Sequence, residues 1–354
     1  MTHATRIPCL DGLRGLAALA VMLFHFNIFF LPQARLTDVA PFVGRAYLAV
    51  DFFFLLSGFI MAHVYGRPLA SNWRMHTQQF ARARFARIYP LFAVTTMAMA
   101  VVFVLSHMPL VSFSGYSLAL QPFLLQQWAS GLSWDYPSWS ISTEAEAYVF
   151  FVFCGSSLLA GKQPRLIAAA CILIVIALCI ARRGSLNTFV GTSALLRTLA
   201  EFSLGVLLYR AHSTAFGFPR WLAAVLSVVF AGFALITRLD LFMVAAFGCL
   251  IYYSAIDTDR LGKLLNSPPL VALGNWSYSI YLWHAPGHYA VMAVFAAVGY
   301  PVIQLGLASS RLLLSATALA VVVLSALHYR YVETPCRRFL IGCRFFNAPS
   351  TIHG

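Results

Sequence analysis

The segment DGLRGLAALAVMLFHF, residues 11–26, decides the fold because it is apolar enough to cross a membrane and still contains Arg14 and His25. At about 1.5 Å of rise per residue, a helix separates these two side chains by roughly 16 Å along its axis. Ionisable groups are costly in hydrocarbon, so a membrane helix that contains them usually uses them. Arg14 near one membrane face and His25 past the middle indicate chemistry that reaches across a bilayer.

The composition extends this prediction to the whole chain. Of its 354 residues, 60% are hydrophobic and only 10% are charged, and a soluble protein cannot hide that much apolar surface in one core. Apolar runs of about 20 residues recur along the chain, which predicts an all-α, polytopic helical membrane protein. The first run is not typical of a cleaved signal peptide. We expect a single membrane domain over residues 1–354, with no appended soluble domain.

The distribution of basic residues predicts the topology. Most of the 24 Lys and Arg residues fall on one side if both termini are cytoplasmic, and the longest loop on the other side, residues 107–138, contains none. This bias is the signal that orients membrane proteins. About ten transmembrane helices are predicted, at roughly 12–31, 46–65, 88–106, 139–160, 166–181, 191–209, 221–237, 241–256, 272–297 and 312–330.

Two other classes of ligand are not expected. The net charge is +13, but the basic residues flank hydrophobic segments, which is typical of membrane topology and not of nucleic-acid binding. The seven cysteines are odd in number and lack zinc spacing. His284 and His288 have the spacing of a metal pair, but Pro286 and Gly287 lie between them and make helical spacing doubtful. No metal is therefore predicted.

Ionisable residues on four predicted helices form a first group near the outer face. They are His25, Asp51, Glu144 with the neighbouring Glu146, and His284. A histidine paired with a carboxylate is the usual arrangement of a general base, because the carboxylate fixes the tautomer and stabilises the imidazolium. Glu144 can alternatively be a carboxylate that stabilises a helix start.

A second group lies on the cytoplasmic side, in FARARFARIYP at residues 80–90. Arg84 and Arg87 are three residues apart and share one helix face, and Arg14 at the inner end of the first helix can join them. Guanidinium groups on one face suit a ligand with several phosphates. Such clusters are also common as simple orientation signals.

Six blocks together resemble the acyltransferase-3 family of membrane O-acyltransferases. In chain order they read LDGLRGLAALAVMLFHF, VDFFFLLSGFIMA, RARFARIYP, WSISTEAEAYVFFVF, LGNWSYSIYLWHAP and YVETPCRRF. The resemblance runs from residue 10 to about residue 339. One departure is visible, since Ala145 and Glu146 stand where many relatives have a second Glu and then Gln.

The resemblance implies an enzyme of the bacterial cytoplasmic (inner) membrane that moves an acyl group, commonly acetyl, from cytoplasmic acyl-CoA to a carbohydrate hydroxyl. Acetyl-CoA, the carbohydrate and membrane lipids are then the partners, and lipid-linked acceptors are included. Carried over by position, the implied site residues are His25 as the base with Arg14 in the same block, Arg84 and Arg87 for the donor, Glu144, His284, and Asp51 with Ser57 in the second-helix block.

Two chemical routes stay open at this point. In the favoured route His25, oriented by Asp51 or Glu144, deprotonates a sugar hydroxyl that attacks the donor directly. In the other, an acyl-enzyme forms on His25 or on a serine such as Ser57 or Ser142. The extended arm of coenzyme A reaches on the order of 15–20 Å, comparable to the roughly 16 Å between Arg14 and His25.

The acceptor side is less defined. His284 is expected to orient the acceptor or the donor. Trp139 is expected to stack on a sugar ring of the acceptor. Other interfacial aromatics have the same potential, namely Trp128, Trp134 and Tyr136. O-antigen, exopolysaccharide, periplasmic glucan and small glycosides all fit as acceptors. The rival interpretation is a transporter or flippase with a polar intramembrane site, which also explains buried ionisable residues.

Overall fold

The structure, a computed structural model, describes residues 6–71, 73–106, 119–128, 133–188, 190–214, 219–255 and 260–342. These residues form helices and no strand. The helices of fifteen residues or more are α1 (Pro8–His25), α2 (Ala49–Ser71), α3 (Trp73–Ser106), α4 (Trp139–Ala160), α5 (Pro164–Ala181), α6 (Gly191–Ser213), α7 (Arg220–Thr237), α8 (Asp240–Ser254), α9 (Pro268–Ala297) and α10 (Leu307–His328). A shorter helix, α11 (Thr334–Gly342), follows them.

Seven segments of the described chain are long and apolar enough to cross a membrane. They are Pro8–Phe30, Pro41–Gly66, His76–Ser106, Pro164–Ala181, Gly191–Ser213, Arg220–Thr237 and Leu307–Gly342. The other long helices fall at predicted spans but are shorter, as in α8, or carry many polar side chains, as in α4 and α9. The prediction of an all-helical, multi-pass membrane protein is confirmed. The count of ten spans and the cytoplasmic termini stay predictions.

The first of two close helix pairs joins α1 to α9. Gly15 lies so near Gly274 that a Cβ atom on Gly15 would come within 2.7 Å of the Gly274 nitrogen. Small residues let membrane helices approach closely, and van der Waals packing then holds them together. The result is that Arg14 and His25 of α1 face the polar stretch of α9 that contains His284.

The second close pair joins α2 to α6. A Cβ atom on Gly58 would collide with the carbonyl of Phe202, and one on Gly205 would collide with the carbonyl of Leu55. The two helices are therefore in backbone contact. This contact brings the polar side chains of α2 against those of α6, as described below.

The helix α9 corrects one expectation from the sequence. It runs without interruption from Pro268 to Ala297, with Pro286 inside it. His288 keeps its helical position, and its Nδ1 lies 2.9 Å from the carbonyl oxygen of His284. The prediction that Pro286 and Gly287 disturb the helical spacing is therefore wrong, because neighbouring groups in a membrane bundle can satisfy the backbone that a proline frees.

Candidate active site

Two histidines meet where α1 ends against α9. The Nδ1 atom of His25 lies 2.9 Å from Nε2 of His284, and the rings stack at 4.9 Å with an angle of 6°. His284 is fully buried and His25 is half-buried. The structure thus brings together two residues that the sequence places on separate helices. One ring must donate the hydrogen bond and the other must accept it, so the tautomers of the pair are linked.

Aromatic side chains surround the histidine pair. The helix α1 continues into a π-helical turn, Phe26–Phe30, and such turns are frequent at functional sites. This turn stacks Phe29 on His25 at 5.8 Å and 19°, while Phe29 is 45% exposed. Tyr136 contacts His25 edge-on at 4.9 Å and His284 at 5.7 Å. Sequence analysis gave Tyr136 only as one of several interfacial aromatics and did not single out Phe29.

Asp51 does not orient His25, which corrects the sequence-based expectation. Both of its oxygens accept hydrogen bonds from Arg197 of α6, at 2.7 Å from Nε and 2.6 Å from Nη2. Both residues are buried, and Arg197 also donates to the carbonyl of Thr188 at 3.1 Å. Because α2 packs on α6, the guanidinium group of Arg197 binds both oxygens of the Asp51 carboxylate. Sequence reasoning missed Arg197, although Glu201 four residues later is a signal of a buried ion pair.

Glu144 is not the partner of His25 either. Its Oε1 atom accepts hydrogen bonds from the Ser57 hydroxyl at 2.7 Å and from the Tyr148 hydroxyl at 2.5 Å. Glu146 instead accepts from Trp128 Nε1 at 2.8 Å. Among the described residues, His25 is therefore hydrogen-bonded to an imidazole and not to a carboxylate.

Trp139 is in a different position from the one expected for a residue that stacks on a sugar. Its ring packs against Phe54 at 6.1 Å and lies under the guanidinium group of Arg197 at 5.8 Å. The side chain belongs to the core around the Asp51–Arg197 ion pair. These contacts therefore do not support the expectation that Trp139 stacks on the acceptor sugar.

The three predicted arginines of the donor site do converge. Arg14 donates from Nε to the Ser277 hydroxyl at 2.9 Å and from Nη2 to the Gly274 carbonyl at 2.7 Å. Arg14 also lies 3.1 Å from Asp11, and Arg87 lies 3.7 Å from Glu333. These contacts come from α1, α3, α9 and the turn after α10, so four parts of the chain position the cluster.

Arg84 differs from Arg14 and Arg87 because it faces aromatic rings and not a carboxylate. Its guanidinium carbon lies 5.4 Å from the ring centre of Tyr65 and 5.8 Å from that of Tyr148. One Nη atom donates to the Tyr65 hydroxyl at 3.3 Å. The Nε atom is buried and has no hydrogen-bond partner. A buried cation with an unused donor is suited to receive an anionic ligand.

These arginines line one end of a cavity of about 130 Å³. The cavity continues past Ser57 and Glu144 to Ser140 and Tyr281. Ser140 and Tyr148 both line it and are two turns apart on α4, so it extends roughly 12 Å along that helix. The cavity thus extends from a basic end, defined by Arg14, Arg84 and Arg87, to Tyr281, whose ring centre is 6.0 Å from that of His284. The described residues contain no cluster of three or more His, Cys, Asp or Glu side chains placed to hold a metal ion.

Comparison with known proteins agrees with this arrangement. A sequence model described as "Acyltransferase domain" matches residues 7–330. Acyltransferase MdmB of Streptomyces mycarofaciens is 30% identical over 373 residues, which cover 96% of this chain and 93% of MdmB. O-acetyltransferase OatA of Staphylococcus aureus is 22% identical over 367 residues, which cover 94% of this chain and 57% of OatA.

A shorter match and the search of solved structures complete the comparison. "Protein 2 in picA locus" of Rhizobium radiobacter is 41% identical over 99 residues, or 28% of this chain. No solved structure matches significantly. The chain spans little more than half the length of OatA but nearly the whole of MdmB. Since the family match extends over almost all of the bundle described above, the chain belongs to the acyltransferase-3 family.

Proposed function

We propose that this protein transfers an acetyl group from acetyl-CoA to a hydroxyl group of a cell-surface or exported carbohydrate. The observation that carries the proposal is the cavity that leads from three converging arginines toward the His25–His284 pair. The similarity to OatA, an O-acetyltransferase, and to MdmB, an acyltransferase, supports the reaction class. Membership of an acyltransferase family favours this function over the transporter interpretation.

The basic end of the cavity is the proposed donor site. Coenzyme A carries several phosphates, which planar guanidinium groups bind in bidentate fashion. Arg84 has an unused Nε donor, and Arg14 and Arg87 line the same cavity. The phosphates would remain at this end, while the pantetheine arm lies along α4 past Ser57 and Glu144. We assign this end to the cytoplasm, consistent with the distribution of basic residues.

His25 is the proposed general base. For its Nε2 atom to take a proton, Nδ1–H must donate to Nε2 of His284 across the 2.9 Å contact. His284 then acts as the orienting group that a carboxylate supplies in other sites. The acceptor hydroxyl gives its proton to His25 as its oxygen attacks the thioester carbonyl. The carbon–sulfur bond breaks, and the thiolate of coenzyme A takes the proton back from the imidazolium.

The acceptor is proposed to approach from the side of Phe29. This ring is 45% exposed and stacks on His25, so a sugar ring that packs on Phe29 would place a hydroxyl near Nε2. O-antigen, exopolysaccharide and glucan acceptors fit equally, with or without a lipid anchor. We place this face on the outer side of a bacterial cytoplasmic membrane and treat residues 1–354 as one acyltransferase domain.

The test is acyl transfer by the purified protein in lipid nanodiscs, measured with radiolabelled acetyl-CoA and a surface-glycan extract. His25→Ala is expected to lower the transfer rate by a factor of roughly 10²–10⁴, because a general base contributes about that much. Abundance and thermal unfolding should match those of the unsubstituted protein, since His25 is half-buried. Retained transfer by a folded His25→Ala protein would remove His25 as the base.

A further inference from the structure

The lining of the cavity includes a hydrogen-bonded pair, Ser140 and Tyr281, and Tyr281 lies next to His284. Their hydroxyl oxygens are 2.7 Å apart, and the Tyr281 hydroxyl donates to the carbonyl of Pro137 at 3.0 Å. Tyr281 is 5% exposed and so is Ser140. The Ser140 hydroxyl also lies 3.3 Å from the carbonyl oxygen of Pro137, so the two hydroxyl groups share this acceptor and one of them donates to the other. The tyrosine ring is therefore fixed to the start of α4 through two partners.

The same ring also contacts His284, one member of the histidine pair. Tyr281 and His284 are three residues apart on one face of α9, and their ring centres are 6.0 Å apart at an angle of 74°. Tyr281 lines the cavity, whereas His25 and His284 do not. The Tyr281 ring thus contacts both the cavity and His284, the partner of the proposed base. An acyl group that reached the histidines along this side of the cavity would lie beside Tyr281.

The surroundings of this ring are apolar and already filled. Phe53 lines the same end of the cavity and contacts Tyr281 at 6.0 Å and 76°, and Val50 and Ile141 are also in the lining. Both Val50 and Ile141 are buried. Packed aromatic and branched side chains of this kind do not yield without strain. We therefore expect the side of the cavity next to Tyr281 to accept a small apolar group at the end of the pantetheine arm and to exclude a longer chain.

We propose that Tyr281, held by Ser140 and Pro137, is the residue that restricts the donor to short acyl groups and positions the thioester next to the His25–His284 pair. This inference rests on the proposed function, because it concerns the acyl end of the same donor site. It adds a physical reason for acetyl as the transferred group. It also gives the hydroxyl network at the start of α4 a role in substrate selection.

The experiment compares acetyl-CoA, butyryl-CoA and hexanoyl-CoA as donors for the purified protein in nanodiscs, with release of the coenzyme A thiol as the readout. The unsubstituted protein should prefer acetyl. Tyr281→Ala removes the ring and should raise the ratio of kcat/KM for butyryl over acetyl by roughly tenfold or more, the scale at which apolar pockets discriminate methylene groups. Tyr281→Phe keeps the ring but loses both hydrogen bonds of the hydroxyl, so it should raise the ratio by less than Tyr281→Ala does.

Two further variants make the outcome decisive. Ser140→Ala removes one of the two partners of the Tyr281 hydroxyl and should raise the butyryl ratio by less than Tyr281→Ala does. It also supplies the answer if Tyr281→Ala does not fold. Tyr300→Ala is the matched control, since Tyr300 is a 48% exposed tyrosine just beyond α9, and it should leave the ratio unchanged.

The contrary results separate the two proposals. An unchanged chain-length ratio in a folded Tyr281→Ala or Ser140→Ala protein would overturn the role of Tyr281. A preference of the unsubstituted protein for butyryl or hexanoyl would overturn it as well. Failure of the unsubstituted protein to use any acyl-CoA would instead reject the proposed function.

Discussion

Two helix seams, meaning the two close contacts between paired helices, have similar backbone packing in this bundle. They contain different polar side chains. In both, glycines let the backbones touch: α1 against α9, and α2 against α6. The α2–α6 seam contains Asp51 and Arg197, whose charged atoms are bonded to each other, with Glu201 3.8 Å from Arg197 Nε. The α1–α9 seam contains His25 and His284, which share one hydrogen bond that uses one nitrogen of each ring.

The difference indicates which buried polar groups are available for chemistry. A fully paired ion pair has no atom left to offer a substrate, and its removal affects folding. A group with an unsatisfied nitrogen or guanidinium donor is held in place and still able to bind. Arg84, with its unused Nε, belongs with the histidines in this respect. Position in the membrane alone does not separate these classes, because both seams place ionisable side chains inside the bundle.

The largest expected effect is on stability, in the α2–α6 seam. Arg197→Met leaves the buried carboxylate of Asp51 without its partner and should lower the free energy of unfolding by about 3–5 kcal/mol. The double variant Asp51→Leu with Arg197→Met should recover most of that loss, because the Asp51 carboxylate is then removed together with its partner. Thermal unfolding in detergent measures both proteins. The control is Arg165→Met, at an exposed position; equal losses in the single and double variants would contradict a purely structural ion pair.

The next effect is on donor binding, at the basic end of the cavity. Arg84→Ala should raise the apparent KM for acetyl-CoA roughly tenfold with little change in kcat, since a hydrogen bond to a charged group contributes about 1.5–3 kcal/mol. Steady-state kinetics over a range of acetyl-CoA concentrations gives both constants. Arg82→Ala is a matched control from the same helix, because Arg82 donates to the carbonyl of Leu340 and does not line the cavity. Similar shifts in the two variants would mean that the arginines act through general charge only.

The smallest effect is expected at the exposed ring beside His25. Phe29→Ala should raise the KM for the acceptor by roughly two- to tenfold, the range of a single aromatic contact, and leave the KM for acetyl-CoA unchanged. Phe123→Ala serves as control, since Phe123 is 73% exposed and is not among the rings around His25. A change confined to the KM for acetyl-CoA would contradict a role of Phe29 in acceptor binding.

Sequence reasoning reached the helices and the basic cluster because both depend on spacing within one segment. Arg84 and Arg87 share a helix face by their separation, and the run of residues 11–26 fixes the depths of Arg14 and His25. The same reasoning failed where the hydrogen-bond partner of a side chain lies on the helix across a seam. Their similar depth in the membrane suggested that Asp51 and Glu144 are hydrogen-bond partners of His25. The packing of the helices instead pairs Asp51 with Arg197, and Glu144 with Ser57 and Tyr148. Periodicity does not tell which helix lies opposite.

The contact of Gly15 with Gly274 has a mechanical consequence. Side-chain packing loosens with heat or in detergent, whereas two abutting main chains have no rotamers to exchange. The separation of the His25 and His284 rings is therefore set largely by the backbone, ten residues along α1 from that contact. His25 and His284 should therefore keep their relative position until α1 and α9 separate.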